Sequence, residues 1–471
     1  MISRRHFLGS LTAASAAPAT RSNIVFILAD DYGWTDTSFN GSKFYETPNL
    51  DRLARSGMVF TDGYSASPVC SPTRSAIMTG KYPARLHITA HLQGASNRFH
   101  FTKVLQPNAR LALPLEEVTI AELLGKAGYR TACIGKWHLG ATGFLPADQG
   151  FQVVFAGDEA GSTSSFFYPK WTSKISLEGS DGEYLTDRLT TLAVEFIQEN
   201  RDRPFFLYLP HFAVHTPIEG KPEKVRKYEA KADVKNPQNY AEYAAMVESL
   251  DESVGRVLDA LDELKLADKT LVIFTADNGG VVSREWKNRP VTSNLPLRSG
   301  KGHLYEGGIR VPTIVRLPGV TRPGSVCREP ILSVDYAPTL AEITGFSMKG
   351  VDGRSFRKLL GGANKMDRRD IFWHYPHYSP QLGRPAAAIR SGDYKLILFF
   401  EDNRVELYHL GADIGEARDL AGLQPGKAAE LRGRLEAWLR ETGAQIPAAN
   451  PGYNPARERE AGKPTGPVTA K

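Results

Sequence analysis

Two apolar runs end in the same kind of polar pair, and this constrains the fold more than any other feature. "SNIVFILADD" closes on Asp30-Asp31, and "KTLVIFTADNGG" closes on Asp277-Asn278. Each run has the length of one strand and no alternating polar face, which places it inside a sheet covered on both sides. Helical patterns lie between such runs. "TPNLDRLARSG" has Thr47 as N-cap, Pro48 at the first helical position and Gly57 as the stop. "VTIAELLGKAGYRTACIGKWHLG" predicts a helix, a stop at Gly128 and a short strand to about Gly135. "GEYLTDRLTTLAVEFIQEN" is a helix and "RPFFLYLP" the strand after it. A long amphipathic helix follows, with Met246, Leu250, Val254, Val257 and Leu261 on one stripe. Helices alternating with apolar strands predict an α/β fold: a doubly wound, mostly parallel sheet flanked by helices. Ligands of such sheets bind beyond the carboxyl ends of the strands. The two polar pairs are therefore predicted to meet.

From about residue 368 the texture changes. "AAAIRSGDYKLILFF" and "RVELYHL" predict antiparallel strands, and "KAAELRGRLEAWLRETG" a helix. At 471 residues the chain exceeds one ordinary core. The predicted organisation is a catalytic domain over 21–367, a smaller C-terminal α+β subdomain over 368–447, and a disordered tail over 448–471. Residues 1–20 have an Arg4-Arg5 pair, Phe7-Leu8, a short apolar run and small residues from Ala13 to Ala19. This resembles a twin-arginine signal peptide and predicts a periplasmic or extracellular protein. No other stretch is long and apolar enough to anchor the chain in a bilayer. The net charge of +6 is scattered, with no Lys/Arg block fit for nucleic acid. Three cysteines at wide spacing form neither a disulfide framework nor a zinc pattern.

Three carboxylates and an amide oxygen, from Asp30, Asp31, Asp277 and Asn278, suit a hard cation, Ca²⁺ or Mg²⁺. Singly, either pair is better read as a cap for the following turn or helix; together, at matching strand ends, they point to metal. "SPVCSPTRSAIMTGKYPAR" adds Cys70. Ser71 is the expected N-cap, Pro72 the first helical residue and Gly80 the stop. Cys70 then sits at a helix N-terminus, whose N–H groups favour an anion and lower a thiol pKa. Where the helix reaches back to position 70, Arg74 lies one turn on, on the same face. A small buried cysteine is the plain alternative, and it leaves Arg74 unexplained. Lys136 and His138 in "GKWHLG", His215 in "HFAVHTP" and Lys301 in "RSGKGHLYEGG" each follow a predicted strand or lie in a Gly-rich loop.

Together these residues resemble the type I sulfatases. "CSPTRSAIMTGKYPAR" matches the family signature, and "ADDYGWTD", "GKWHLG", "HFAVHTP", "TADNGG", "GKGHLYEGGIRVP", "VDYAPTLAEITG" and "VDGRSF" are similar to its other segments. The resemblance implies an alkaline-phosphatase-like fold with a small C-terminal sheet. It implies that Cys70 is oxidised by a formylglycine-generating enzyme to formylglycine, whose hydrate is the nucleophile. It implies one Ca²⁺ per chain, held by Asp30, Asp31, Asp277, Asn278 and the modified Cys70. Arg74 is implied to hold the hydrate, Lys136, His215 and Lys301 to bind sulfate, and His138 to contact a hydrate hydroxyl. One hydroxyl attacks sulfur and displaces the alcohol, with His215 or Lys301 protonating the leaving oxygen. His138 then takes the proton of the remaining hydroxyl, expelling sulfate. A thiol has no such elimination, which is the chemical reason for an aldehyde at this position.

The expected activity is hydrolysis of a sulfate ester, on a sulfated carbohydrate or an aryl sulfate. "RSAIMTGKYPARLHIT" and "WHYPHYSP" resemble the arylsulfatase and N-acetylgalactosamine-sulfatase-like group. His374, His377 and Arg384 are candidates for a sugar subsite. The alternative enzyme is a phosphate or phosphonate monoester hydrolase of the same superfamily, since formylglycine occurs there too. A non-catalytic glycan binder requires a damaged site, and no motif position is replaced.

Overall fold

A computed structural model describes residues 22–92, 102–283, 286–367 and 369–456. The expected signal peptide and residues 457–471 lie outside the described residues. Among those described, no helix is long and apolar enough to cross a membrane.

The expected mostly parallel sheet has eight strands. Their order is Ser325–Cys327, Met58–Phe60, Thr313–Arg316, Thr270–Ala276, Asn23–Ala29, Phe205–Pro210, Arg130–Ile134 and Val153–Phe155. Only the strand Thr313–Arg316 runs antiparallel to its neighbours. The central strand Asn23–Ala29 shows why these runs carry no polar face. Val25, Ile27 and Ala29 pack into one core, and Ile24, Phe26 and Leu28 into another on the opposite side. The helices Leu185–Glu199 and Ala241–Glu263 cover the first face with Leu189, Ala193, Leu250 and Val254. Cys70–Thr79, Ile120–Lys126 and Tyr336–Ile343 cover the second with Ile77, Leu124 and Leu340.

The C-terminal region has its own antiparallel sheet, Ile371–Tyr375, Ala386–Ser391, Tyr394–Phe399 and Val405–His409, with the helix Pro425–Glu441 on it. Leu396, Leu407, Leu431 and Leu435 fill the core between them. The sequence places disorder from residue 448, but Ala448–Ala449 pair antiparallel with Val104–Leu105, and the Asn450 side-chain amide donates to the Thr102 carbonyl. Backbone pairing from a segment far away in sequence orders this stretch, and composition alone is blind to it. All three cysteines are buried and unpaired.

Candidate active site

The register of the central strands brings the two polar pairs together. Ala29 lies opposite Ala276, so Asp30 and Asp277 leave adjacent strands at the same level. The Asp31 N–H donates to Asp277 Oδ1 at 3.2 Å, and Asn278 Nδ2 donates to Asp31 Oδ1 at 2.8 Å. The end of Arg130–Ile134, two strands over from Asn23–Ala29, delivers Lys136. Gly135 there has φ +126, and a Cβ on it would lie 2.0 Å from the Pro210 carbonyl oxygen. Only glycine lets these two strand ends close up.

The helix carrying Cys70 starts earlier than its sequence signals indicate. It spans Cys70–Thr79 with Val69 as N-cap. The Ser71 hydroxyl does not cap it and instead accepts the Leu92 N–H at 3.1 Å. The expected stop holds, with Gly80 at φ 71. Because the helix includes Cys70, Arg74 is one turn on, and both reach the acidic cluster. Cys70 Sγ is 3.5 Å from Asp30 Oδ1. Arg74 Nε donates to Asp277 Oδ2 at 2.8 Å, and its Nη1 donates to the Lys136 carbonyl at 2.7 Å.

Each buried carboxylate has one close cation. Lys136 Nζ is 2.7 Å from Asp30 Oδ2, Arg74 pairs with Asp277, and Lys301 Nζ is 2.7 Å from Asp31 Oδ1. Burial works against the Asp31 charge, but Lys301, followed by His215 and Lys136, holds its carboxyl well below the usual range. Burial dominates at Asp277, whose carboxyl is raised to about 6, with Asp30 pushing the same way. The thiol of Cys70 departs from expectation. Burial raises its pKa, and the nearby Lys136 and Lys301 do not offset this. In its thiol form Cys70 is a poor nucleophile, because stripping solvent from a thiolate outweighs the helix start.

His138 and His215 are neutral. Burial, then Lys136, takes His138 far below the ordinary imidazole value. Its Nε2 meets the Leu92 carbonyl at 3.1 Å, while Nδ1 is buried without a hydrogen bond. Burial, then Lys301, lowers His215 to about 3. Its Nδ1 lies 2.8 Å from the Thr216 carbonyl, and its Nε2 is 3.5 Å from Asp31 Oδ2.

Cys70, Asp31, His138, His215 and Lys301 line one cavity of about 500 Å³, within the range of small-molecule sites. His91, Gly161, Ser162, Lys174, Thr216 and Gln381 complete much of its wall. Sequence reasoning missed these. Thr216 was within reach as the neighbour of His215, whereas nothing local marks Lys174 or Gly161. The expected sugar-subsite residues do not line this cavity. His374 is buried with Nε2 on the Gln445 carbonyl at 3.0 Å. His377 is buried against Thr89 Oγ1 at 2.8 Å. Arg384 pairs with Glu401 at 2.9 Å. The same loop reaches the cavity with Pro380 and Gln381 instead.

A metal ion fits the donors present. Ligand atoms of Asp30, Asp31, Cys70 and His215 all lie within 4.8 Å of one another. Asn278 Oδ1 is buried beside them without a hydrogen-bond partner. An oxygen-rich donor set with an orphaned amide oxygen is what a hard cation takes up.

Residues 22–346 match the Sulfatase family. The chain belongs to the sulfatase family. Its residues 299–445 also match the family of N-sulphoglucosamine sulphohydrolase C-terminal regions. This sulfatase is 33% identical to a sulfatase of Formosa agariphila, covering 89% of each chain. It is 33% identical to human arylsulfatase A, covering 93% of this chain and 90% of that one. The solved structure of Ps i-CgsB in complex with k-i-k-neocarrahexaose superposes with a TM-score of 0.75 at 28% identity, covering 93% and 96%. The fold is that of the alkaline phosphatase superfamily, and the protein is a sulfuric ester hydrolase.

Proposed function

We propose that this sulfatase cleaves sulfate esters of carbohydrates with a formylglycine made from Cys70 and a bound Ca²⁺. The observation that carries this reading is Cys70 at the first turn of its helix. There it lies beside Asp30, Lys136 and Lys301 and lines the cavity, with a thiol whose pKa burial raises. Formylglycine supplies there a hydrated aldehyde, an oxygen nucleophile that can also eliminate sulfate, and Ca²⁺ supplies positive charge at the sulfuryl oxygens.

Asp30, Asp31, Asp277 and Asn278, with the modified residue 70, are the groups that would hold the cation. Arg74, one turn on from residue 70 and held by Asp277 and the Lys136 carbonyl, is the group proposed to hold the hydrate. Lys136 and Lys301, paired with Asp30 and Asp31, are the cations that would neutralise the sulfuryl oxygens where a metal shares those carboxylates. The His215 Nδ1 hydrogen is committed to the Thr216 carbonyl, so its neutral ring presents a bare Nε2 to the cavity. Lys301 presents only N–H groups, and it is the donor assigned to the leaving oxygen. His138 is neutral, with an open Nδ1 on a buried ring, and is suited to accept a proton from residue 70. A sulfated glycan is the proposed substrate class, supported by a relative solved with an oligosaccharide. Maturation by a formylglycine-generating enzyme and twin-arginine export belong to the same proposal.

The test is mass spectrometry of the peptide containing Cys70, from protein made in its native host. The expected mass is that of the aldehyde or its hydrate, and an alkylatable thiol would sink the mechanism. On the same preparation, nitrophenyl sulfate is expected to turn over faster than nitrophenyl phosphate; the reverse order favours a phosphate or phosphonate monoesterase.

A further inference from the structure

One stretch of the cavity wall, residues 158–177, carries a charge that this chemistry does not use. Lys174 lines the cavity together with Gly161 and Ser162. Its backbone is firmly placed. Trp171 is fully buried and donates from Nε1 to the Leu177 carbonyl at 2.7 Å. The Trp171 carbonyl in turn accepts the N–H groups of Lys174 at 3.0 Å and Ile175 at 2.9 Å. The Asp158 carboxylate accepts from Ala160 N at 2.9 Å and from Ser176 N at 3.3 Å. It thereby ties the loop of Gly161 and Ser162 to the turn of Lys174. That loop is pressed onto the active site: a Cβ on Gly161 would lie 2.5 Å from His138 Nε2.

The ammonium leaves this fixed turn with little to neutralise it. Its hydrogen bond is to Ser162 Oγ at 3.3 Å, and it forms no ion pair with a carboxylate among the described residues. Lys301, the other lysine of the wall, is matched by Asp31. Lys174 is therefore a cation of the wall with no paired acid among the described residues. An exposed lysine is ordinarily just solvated. This one stands on a rigid support inside the wall where the substrate lies, which turns its charge toward recognition.

Building on the sulfate-ester reading, we propose that Lys174 selects substrates carrying a second anionic group, a carboxylate or another sulfate, near the ester that is cleaved. The experiment compares one monosulfated sugar with two partners, one bearing a second sulfate and one bearing a carboxylate on the adjoining residue. Wild-type protein is expected to show kcat/KM about ten-fold higher for at least one dianionic partner, and the partner preferred names the anion. Lys174→Ala is expected to lower kcat/KM for that partner about ten-fold more than for the monosulfated sugar, mainly through KM, and Lys174→Arg to restore the ratio. Added salt is expected to shrink the preference. Absence of the preference in wild type overturns the proposal. So does an equal loss on both substrates in Lys174→Ala, which would place Lys174 on the scissile sulfate. If the protein prefers phosphate monoesters, the ester preference counts against the proposed function, and the same ratio measured in the phosphate series still decides on Lys174.

Discussion

Two buried ionic clusters lie on either side of the loop that carries Lys301, and they differ in one respect. In the active site, three carboxylates meet three cations, yet Asn278 Oδ1 and His138 Nδ1 remain without hydrogen bonds, and Asp31 and Lys301 face a cavity. At the junction with the C-terminal sheet, Lys395 Nζ is 2.9 Å from both Glu306 Oε1 and Glu416 Oε1. Glu306 Oε2 also takes Arg310 Nε and the Tyr64 hydroxyl, each at 2.7 Å. Glu306, Lys395 and Glu416 are fully buried and do not line the active-site cavity. The same residue types thus do two jobs. A cluster with open atoms beside a cavity is built for something that arrives. A sealed cluster fixes two parts of the chain to each other, because removing one partner strands a buried charge.

The comparison makes its largest prediction at Cys70. Cys70→Ala is expected to lower turnover by at least about 10³-fold, with cooperative thermal unfolding retained. Lost cooperativity or solubility would make Cys70 core filler and break the contrast. Next, Asp277→Ala is expected to lose bound metal, read by elemental analysis of the purified protein. Unchanged metal content contradicts the ligand assignment. At the sealed cluster, Lys395→Met leaves Glu306 and Glu416 facing each other, and is expected to cost about 3 kcal/mol in denaturant unfolding.

Gly161→Ala probes the line between positioning and stability. The added methyl group displaces His138, and turnover is expected to fall about 10²-fold, with the unfolding midpoint nearly unchanged. A stability loss without an activity loss would show that the loop only packs. The smallest effect is a change of slope. Burial pushes Glu416 up to about 7 from an ordinary 4.5, against the pull of Lys395. Between those values the folded protein keeps a proton that the unfolded chain has lost, so this group's contribution to stability falls as pH rises. Glu416→Gln has no such proton, so its stability relative to wild type is expected to rise from pH 4.5 to 7. A constant difference between the two across that window contradicts the buried-acid account.

The active-site cluster was far more legible in sequence than the sealed one. Asp30-Asp31 and Asp277-Asn278 stand out because two buried strands end in the same kind of polar pair, which singly can cap a turn and together point to metal. Cys70 and Arg74 are linked by helical spacing alone. The family resemblance carried Lys136, His138, His215 and Lys301 to one site, and the fold gathers all four. Glu306, Lys395 and Glu416 have no such mark. They are far apart in sequence, each surrounded by ordinary residues, and only the docking of the C-terminal sheet on the Lys301 loop makes them partners. His374 and His377 lie outside the cavity lining for a related reason. A histidine on a strand or its loop can face either way, and both were claimed by internal acceptors at Gln445 and Thr89.

The sequence by itself determined the α/β architecture, the acidic strand ends, the helix behind Cys70 and the family. These rest on local periodicity, caps and short motifs, whose physics is complete within about twenty residues. The tertiary structure decided the rest. It moved the helix start back to Cys70, raised the thiol pKa by burial, and ordered Ala448–Ala449 against a distant strand. It also set Lys174 in the cavity wall. Each of these depends on how much solvent is excluded and which distant groups arrive, and that is fixed only when the whole chain packs.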